Sequence, residues 1–528
     1  MQQIKNLIKN MKISFKQLLS LIMTLAVVLV ASSCGDDEPD GPQGTAPTLT
    51  APAGMTATVG TPLTVSFNVT VPGGFFDASA EGIGGAASNP TGLNTGDTSG
   101  VLTVEFTPTQ GGAGAVVLQV VDQNNNSAEV TALITIEGRQ TEFTVDANIT
   151  ADVTWETGNT YTLAGRITVT SGVTLTIEPG VVVKGEVGSG ANATALLIAR
   201  GATLNANGTA QSPIIFTTVA DEIQPGQIAS PNLTPDVQGL WGGLIVLGYA
   251  PISADAEAVQ IEGIPPSDTN GLYGGTDPAD NSGTIRYISI RHGGANIGEG
   301  NEINGLTLGA VGSGTTIEYV EIIGNQDDGI EPFGGTVDVT NLLVWNAGDD
   351  SFDCDQAYSG TIDNFIGILG DESDHGLELD GPEGSADGSY TLMNGSIKGK
   401  GAGSTSGGEY ADLRSDAKCT LNNIYFFNFS EGSDFELDNN GVANNYLQGE
   451  ITLTNLQFNV SHLSEGNLTI ADIILEKTGD NESSLDVFTQ SPLPASVAVV
   501  TAPTVGANKA AFASWTWADN AGELDDFN

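Results

Sequence analysis

The chain of 528 residues is poor in cysteine, histidine and positive charge. Three Cys and three His, without the spacing of metal ligands, make a structural zinc site improbable. Only 16 Lys and Arg stand against 64 Asp and Glu, which gives a formal net charge of −48. A chain this acidic repels phosphates, so the composition excludes nucleic acid as a partner and favours cations.

Long helical patterns and aromatic residues are also scarce after residue 33. Aromatics make up 6% of the chain, whereas 69 residues are Gly. Abundant Gly, Thr, Asn and Val are typical of many short strands joined by tight turns. Because 39% of the residues are hydrophobic, a core can form, and the composition predicts an all-β protein rather than a disordered acidic chain.

A short acidic phrase returns five times between residues 315 and 440. Its fifth position is always acidic, with steps of 22, 25, 34 and 24 residues through Glu331, Asp353, Glu378, Asp412 and Glu436. A repeat of this length indicates a solenoid. Apolar and acidic residues alternate within each phrase, which indicates a strand. One strand per coil predicts a parallel β-helix.

Stacked coils would place these five acids in one outward column, about 4.8 Å apart. A second column, two residues further on, would hold Asp355, Asp380, Arg414 and Asp438. Like charges directly opposite one another destabilise a sheet, so the columns call for a neutralising partner. The first column is therefore our predicted metal site, and its hard oxygens suit Ca²⁺ better than Zn²⁺. A solvated, partly protonated acidic face is the alternative.

The N-terminus has the pattern of a targeting segment. Four lysines precede an apolar run, Leu18–Val30, that is too short for a good transmembrane helix. Ala31-Ser32-Ser33-Cys34 then resembles a bacterial lipobox, with Ala31 where Leu is more usual. This resemblance implies a signal peptide at residues 1–33 and lipidation of Cys34, so that membrane lipid is a partner. An ordinary cleaved signal peptide is the alternative.

The remaining chain divides into four segments. Residues 34–45 are an acidic tether, and residues 46–138 contain four alternating or apolar strand patterns that predict an immunoglobulin-like sandwich. Residues 139–500 carry the short strands of the β-helix. Residues 501–528, which contain Trp515 and Trp517, are expected to cap the open end of the solenoid.

Several motifs resemble a known family: Tyr273-Gly-Gly-Thr, Asp280-Asn-Ser-Gly283, Glu299-Gly-Asn-Glu-Ile-Asn-Gly305, Asp327-Asp-Gly-Ile-Glu331 and Gly348-Asp-Asp-Ser-Phe-Asp353. They look like the uncharacterised β-helix surface lipoproteins of Bacteroidetes, in the pectin-lyase-like class. The likeness covers residues 140–528. It implies the fold and a lipid-anchored location at the outer-membrane surface, and it implies no established activity.

A more distant resemblance is to inverting polygalacturonases, which carry Asn-Thr-Asp, Asp-Asp, Gly-His-Gly and Arg-Ile-Lys on successive coils. The matching segments are Asn325–Gly329, Asp349-Asp350, Asp374–Gly376 and Leu413–Asp416. The resemblance implies Asp349 as general acid, Asp328 and Asp350 as activators of water, and His375 and Arg414 as substrate-positioning residues. The family's Lys has no counterpart near Arg414. Ordinary turn chemistry of Asp-Gly pairs is the alternative interpretation.

The sequence favours non-catalytic binding of a glycan or a cation on the acidic face. Phe333, Tyr358 and Tyr410 lie near the columns and are candidates for stacking on sugar rings. A polysaccharide and an outer-membrane transporter are the candidate partners besides lipid. The alternatives are a glycoside hydrolase or polysaccharide lyase working on that face, and a structural or adhesive surface stalk.

Overall fold

The computed structural model describes residues 44–190, 193–296, 303–384, 386–404, 408–463, 468–477 and 482–528. The signal peptide, Cys34 and nearly all of the acidic tether lie outside the described residues. The chain divides into two compact units, residues 1–140 and 141–528. Within the described ranges, none of the helices has the length and apolar character needed to cross a membrane.

The first unit is an immunoglobulin-like β-sandwich. Its strands are β1 (Thr48–Thr50), β2 (Met55–Thr58), β3 (Leu63–Thr70), β4 (Phe75–Ile83), β5 (Gly85–Ala87), β6 (Ser99–Pro108), β7 (Gly112–Asp122) and β8 (Ser127–Glu137). They form two four-stranded sheets, in the orders β1-β3-β6-β5 and β2-β8-β7-β4. Val65, Phe67 and Val69 alternate along β3 into a shared core, because successive side chains of a strand point to opposite faces.

The second unit is a right-handed parallel β-helix with two long sheets. The fifteen-stranded sheet contains β9 (Glu142–Val145), β10 (Val153–Trp155), β11 (Thr160–Leu163), β13 (Thr174–Ile177), β14 (Val182–Gly185), β16 (Thr203–Asn207), β17 (Ile214–Thr218), β21 (Gly283–Arg291), β23 (Thr316–Ile323), β25 (Val339–Trp345), β27 (Thr361–Ile368), β29 (Tyr390–Lys398), β31 (Cys419–Phe427), β33 (Thr452–Asn459) and β35 (Ala498–Val499).

The ten-stranded sheet lies across the core from it. Its strands are β12 (Arg166–Val169), β15 (Ala195–Ile198), β18 (Leu244–Leu247), β22 (Leu306–Gly309), β24 (Ile330–Phe333), β26 (Phe352–Cys354), β28 (Leu377–Leu379), β30 (Ala411–Leu413), β32 (Phe435–Leu437) and β34 (Ile474–Glu476). From β21 onward the strands alternate between the two sheets, so each coil gives one strand to each. Cys354 and Cys419 are both buried and free, as the apolar alternation of their strands predicts.

Short elements decorate the solenoid. A two-stranded antiparallel pair, β19 (Val259–Gln260) and β20 (Leu272–Tyr273), and a 3-10 helix at Thr269–Gly271 lie in the long segment between β18 and β21. The helices are α1 (Asn440–Gln448), α2 (Ile470–Ile473), α3 (Val487–Gln490) and α4 (Trp517–Ala521), with a second 3-10 helix at Lys509–Phe512.

The last residues follow a different path from the expected end cap. Phe512, Trp515 and Phe527 pack against side chains on the outer face of the fifteen-stranded sheet, among them Leu343 and Ile366. The apolar side chains that pack against the core at the last coils come instead from α1, α3 and their surroundings. The aromatics turn back because that outer face carries an apolar and aromatic patch that they bury.

Candidate functional site

The five acids of the predicted column do stand in one register. Parallel pairing of β24, β26, β28, β30 and β32 aligns Glu331, Asp353, Glu378, Asp412 and Glu436. This register arises because an apolar residue on each side of the acid points into the core and fixes which face the acid takes. The second column follows it, since the N–H groups of Asp380, Arg414 and Asp438 each donate to the preceding coil.

The column is not solvent-exposed, although the alternation in the sequence predicts an exposed face. Glu331, Asp353 and Glu378 each retain only 7% of their accessible surface. Loops cover them: Glu262 and Tyr273 from the segment between β18 and β21 line the same cleft. The solvated-face interpretation is therefore wrong for these acids, because long loops fold over a surface that a bare solenoid would expose.

The covered space is a cleft of about 590 Å³ with a mainly acidic lining. Eleven carboxyl groups line it: Glu262, Asp327, Asp328, Glu331, Asp349, Asp350, Asp353, Asp355, Glu378, Asp380 and Glu383. Arg414 is the one cationic side chain among the described lining residues. Burial raises the pKa of Asp355 to about 7 and that of Asp380 to about 6. Removing so many carboxylates from water is costly unless protons or cations neutralise them.

Cationic side chains neutralise Glu378 and Glu436, in the half of the column on β28, β30 and β32. Arg414 pairs with Glu378 through Nη2 and with Asp380 through Nε, the latter at 2.8 Å. Lys477 pairs with Glu436 and, at 3.2 Å, with Asp434. These contacts satisfy the acids of β28 and β32 without any bound ion.

His375 is the third cation on that side of the column. Its Nδ1 lies 2.8 Å from Asp350 Oδ1 and 3.5 Å from Glu378 Oε2. Burial lowers the pKa of His375, but the hydrogen bond with Asp350 and its charge outweigh burial, and the pKa rises to about 9. A protonated imidazole cannot ligate a metal, so His375 acts here as a fixed positive charge.

The other half of the column, on β24 and β26, has no such ion pair among the described residues. Within the described residues no ion pair joins Asp328, Glu331 or Asp353 to a Lys, Arg or His. One oxygen from each of the three lies within 4.8 Å of the others. Burial raises the pKa of Asp353 well above its usual value, and the charge of Asp380 adds to this.

Three buried oxygens on or beside these coils have no hydrogen-bond partner among the described residues. Asp353 Oδ1 is buried and has no hydrogen-bond partner. Gln356 Oε1, on the cleft wall, is likewise buried without a partner. Asn304 donates its amide to Glu331 Oε2, while its own Oδ1 is unpartnered. All of these atoms are hard oxygen acceptors, the ligand type that Ca²⁺ prefers.

Four of the five predicted catalytic residues line the cleft. They are Asp328, Asp349, Asp350 and Arg414, and His375 lies beside them through its contact with Asp350. Asp328 Oδ1 accepts the N–H of Asp350 at 2.9 Å, and Asp350 Oδ1 accepts the N–H of His375 at 2.7 Å. Each of these two carboxylates thus links its coil to the next one by accepting a backbone N–H. This is a structural role, of the kind that Asp has in turns.

The spacing of the acids does not favour inverting hydrolysis. Oxygens of Asp327, Asp328 and Asp349 lie within 4.8 Å of one another. An inverting pair stands roughly 6.5–9.5 Å apart to admit a water molecule. Of the three candidate stacking aromatics, only Phe333 lines the cleft, since Tyr358 and Tyr410 are buried in the core.

Sequence reasoning missed four groups that shape the site: Lys477, Glu262, Glu383 and Gln356. Lys477 continues the second column, because its N–H donates to Leu437 of the preceding coil. The alternation Ile474-Leu-Glu476 is a usable signal, but the step of 39 residues from Glu436 to its strand partner Leu475 hides the repeat. Glu262 and Glu383 sit in irregular segments, where no periodicity predicts which side chain reaches the cleft.

Fold and cleft together define a parallel β-helix protein of the pectin-lyase-like class. The chain belongs to the family described as the pectate-lyase-like β-helix domain, whose model matches residues 147–518. That match covers more than two thirds of the 528 residues and nearly the whole second unit.

Other comparisons are remote. A search of curated proteins finds no match. The SrpA adhesin of Streptococcus sanguinis is similar at 18% identity and a TM-score of 0.16, over 20% of this chain and 61% of that one. A mutant of the same adhesin gives 19% identity and a TM-score of 0.15, over 18% and 60%. This chain thus spans about 60% of the length of those structures, and the likeness carries no argument.

Proposed function

We propose that the chain is a non-catalytic binding protein whose acidic cleft holds a divalent cation, Ca²⁺, at Asp328, Glu331 and Asp353. One observation carries this proposal: among the described residues, no ion pair reaches the three buried carboxylates, whereas Glu378 and Glu436 of the same column pair with Arg414 and Lys477. The unpartnered Oδ1 of Asp353 supports it. Three carboxylates and the nearby amide oxygens supply the all-oxygen ligand set of a Ca²⁺ site.

The cleft is larger than an ion requires. A volume of about 590 Å³ falls in the range of small-molecule sites. Gln260, Gln356, Tyr273 and Phe333 line it with amide and aromatic groups beside the acids. We propose that a glycan occupies this space and completes the coordination of the cation with its own oxygens.

Calcium should stabilise the folded protein. At about 100 times the dissociation constant, Ca²⁺ should add roughly 2.7 kcal/mol to the free energy of unfolding. Asp353→Asn should remove most of this gain, because Asp353 belongs to the uncompensated group. Glu436→Gln is the matched control, since Lys477 neutralises Glu436, and it should keep the gain. Thermal melting and calorimetric titration with CaCl₂ measure both effects.

A wild-type melting temperature that does not respond to Ca²⁺ would contradict the proposal. So would an equal loss of response in Asp353→Asn and Glu436→Gln, because a diffuse negative surface attracts ions without regard to which carboxylate is removed. A third variant, Glu331→Gln, should lose the response like Asp353→Asn.

We further propose that the mature protein is lipid-anchored at the outer-membrane surface through Cys34. The lipobox-like segment Ala31–Cys34 and the basic and apolar stretches before it support this proposal. Cys34→Ala should abolish incorporation of a radiolabelled fatty acid and release the protein from membranes, since Cys34 is the only candidate acceptor at the end of the apolar run. Cys419→Ala is the control, and equal labelling of Cys34→Ala and wild type would refute the anchor.

A further inference from the structure

A ladder of residues with positive φ runs along the fifteen-stranded sheet. In five successive coils the ladder residue is asparagine, at Asn341, Asn364, Asn394, Asn423 and Asn455. Asparagine is among the residues that adopt this conformation most readily. In the two coils before them the ladder residues are Tyr287 and Tyr319, at φ of 47° and 58°. A bulky aromatic residue is strained in this region, so backbone preference does not explain why these two positions are tyrosines.

The coil before Tyr287 has no ladder side chain. Asn207 pairs with Arg286 and Ile214 pairs with Ile288, so the turn between Asn207 and Ile214 lies opposite Tyr287. Gly208 opens this turn, and a Cβ there would lie 2.4 Å from the Tyr287 carbonyl oxygen. A side chain at position 208 would therefore clash with the backbone, and the ladder of side chains ends at Tyr287.

Neighbouring side chains hold the ring of Tyr287 in place. It stacks on Tyr319 with centroids 4.3 Å apart, and the edge-on contact with Trp515 measures 5.4 Å. The Arg286 guanidinium lies 5.4 Å from its centroid. These contacts orient the half-buried ring before any ligand arrives, which reduces the ordering cost of binding.

A groove of about 750 Å³ borders Tyr287 beside this turn. Its lining includes the uncharged polar side chains of Thr176, Asn205, Asn207 and Gln211. The two charged groups in the lining are already engaged. Glu178 accepts the N–H of Thr157 at 2.9 Å, and Arg286 pairs with Glu318 at 3.0 Å.

We propose that this groove is a binding site for a neutral glycan, with one pyranose ring packing against Tyr287. The apolar C–H face of a pyranose matches an aromatic ring, and its hydroxyls need partners that both donate and accept. The amides of Asn205 and Asn207 do both. A neutral ligand fits because the lining carries one acidic and one basic group, Glu178 and Arg286, and so has no net charge. The groove lies on the other sheet from the acidic cleft, so this proposal does not rest on the cation.

Saturation-transfer NMR in EDTA tests the site. The probes are cellohexaose, xylohexaose, mannohexaose and maltohexaose, with hexagalacturonate as the charged comparison. At least one neutral probe should receive saturation on its pyranose C–H protons. Tyr287→Asn should weaken that binding by about tenfold, because it removes the stacking surface. Asparagine suits the backbone there, as the later coils use it, so the fold should persist.

Tyr249→Asn is the matched control, since Tyr249 is a partly exposed tyrosine outside the groove, and it should bind like wild type. Asn205→Ala should weaken binding without changing the melting temperature. Absence of transfer to all four neutral probes would overturn the proposal. Equal affinity in Tyr287→Asn and wild type, or binding of hexagalacturonate alone, would overturn it too.

Discussion

Arg291→Ala should lower the free energy of unfolding by about 3–5 kcal/mol, because it strands the buried carboxylate of Glu321. Both side chains are fully buried, with Arg291 Nη2 and Glu321 Oε2 3.6 Å apart. Ser289 bridges them: its hydroxyl donates to Glu321 at 2.6 Å and accepts from Arg291 Nε at 2.8 Å. Burial raises the pKa of Glu321, and the charge of Arg291 opposes that rise.

This ion pair also fastens the C-terminal segment to the solenoid. Glu321 Oε1 accepts the N–H of Ala518 at 3.0 Å, and the Trp517 ring lies 4.9 Å from the Arg291 guanidinium. Loss of Arg291 should therefore detach residues 507–527 as well as destabilise the core. Cleavage by a protease near this segment should become faster in Arg291→Ala.

Arg286→Ala is the matched control, because Arg286 and Glu318 pair at 3.0 Å on the same two strands but are partly exposed. An exposed pair of this kind contributes roughly 0–1 kcal/mol. Equilibrium unfolding in guanidinium chloride compares the two variants. A cost for Arg291→Ala no greater than that for Arg286→Ala would show that the buried pair is not what secures this region.

The register of the acidic column was predictable from the sequence because two periods coincide. The alternation of Leu377, Glu378 and Leu379 determines which face of the strand carries the acid. The coil length determines that the acids of successive coils are aligned. The same reasoning could not show that the column is buried. Burial depends on Glu262 and Glu383, which lie in irregular loops whose path is decided by tertiary contacts such as the bond from the Glu383 N–H to Ser253.

The division of the column into a compensated and an uncompensated half was also beyond the sequence. Arg414 lies within the repeat, so the sequence indicates that its positive charge compensates one neighbouring acid. Lys477 lies 41 residues after Glu436, beyond two helices. The role of His375 depends on an oxygen of Asp350 that lies one coil away. Whether a side chain acts as a structural cation or as a metal ligand depends on its neighbours in adjacent coils. Residue type alone does not show this.

The C-terminal cap prediction failed for a related reason. Trp515 and Trp517 signal an aromatic cluster, but nothing local says which surface it covers. The outer face near Tyr287, Tyr319 and Trp345 is itself aromatic, and that face receives the segment. A solenoid thus offers two apolar destinations for a C-terminal aromatic cluster, its end and its side, and tertiary fit decides between them.

In EDTA, the melting temperature should fall between pH 4 and pH 7. Burial raises the pKa of Asp355 to about 7 and those of Asp380 and Asp412 to about 6. The folded protein therefore holds protons that the unfolded chain releases near pH 4. Stability from this source is complete below pH 4 and is lost as the pH rises through 6 and 7. Between pH 4 and its own folded-state pKa, each such group lowers the free energy of unfolding by at most about 1.4 kcal/mol per pH unit.

Calcium should reverse this trend, because it binds the deprotonated carboxylates and competes with protons. Its stabilising effect should be small at pH 5 and large at pH 8, as thermal melting across a pH series will show. Asp353→Asn separates this account from a purely structural role for Asp353. In EDTA at pH 8 the variant should melt above wild type, because it removes a buried, repelled carboxylate with an unpartnered oxygen, whereas in Ca²⁺ it should melt below wild type. A variant that melts below wild type in both buffers would mean that Asp353 holds the fold together rather than an ion.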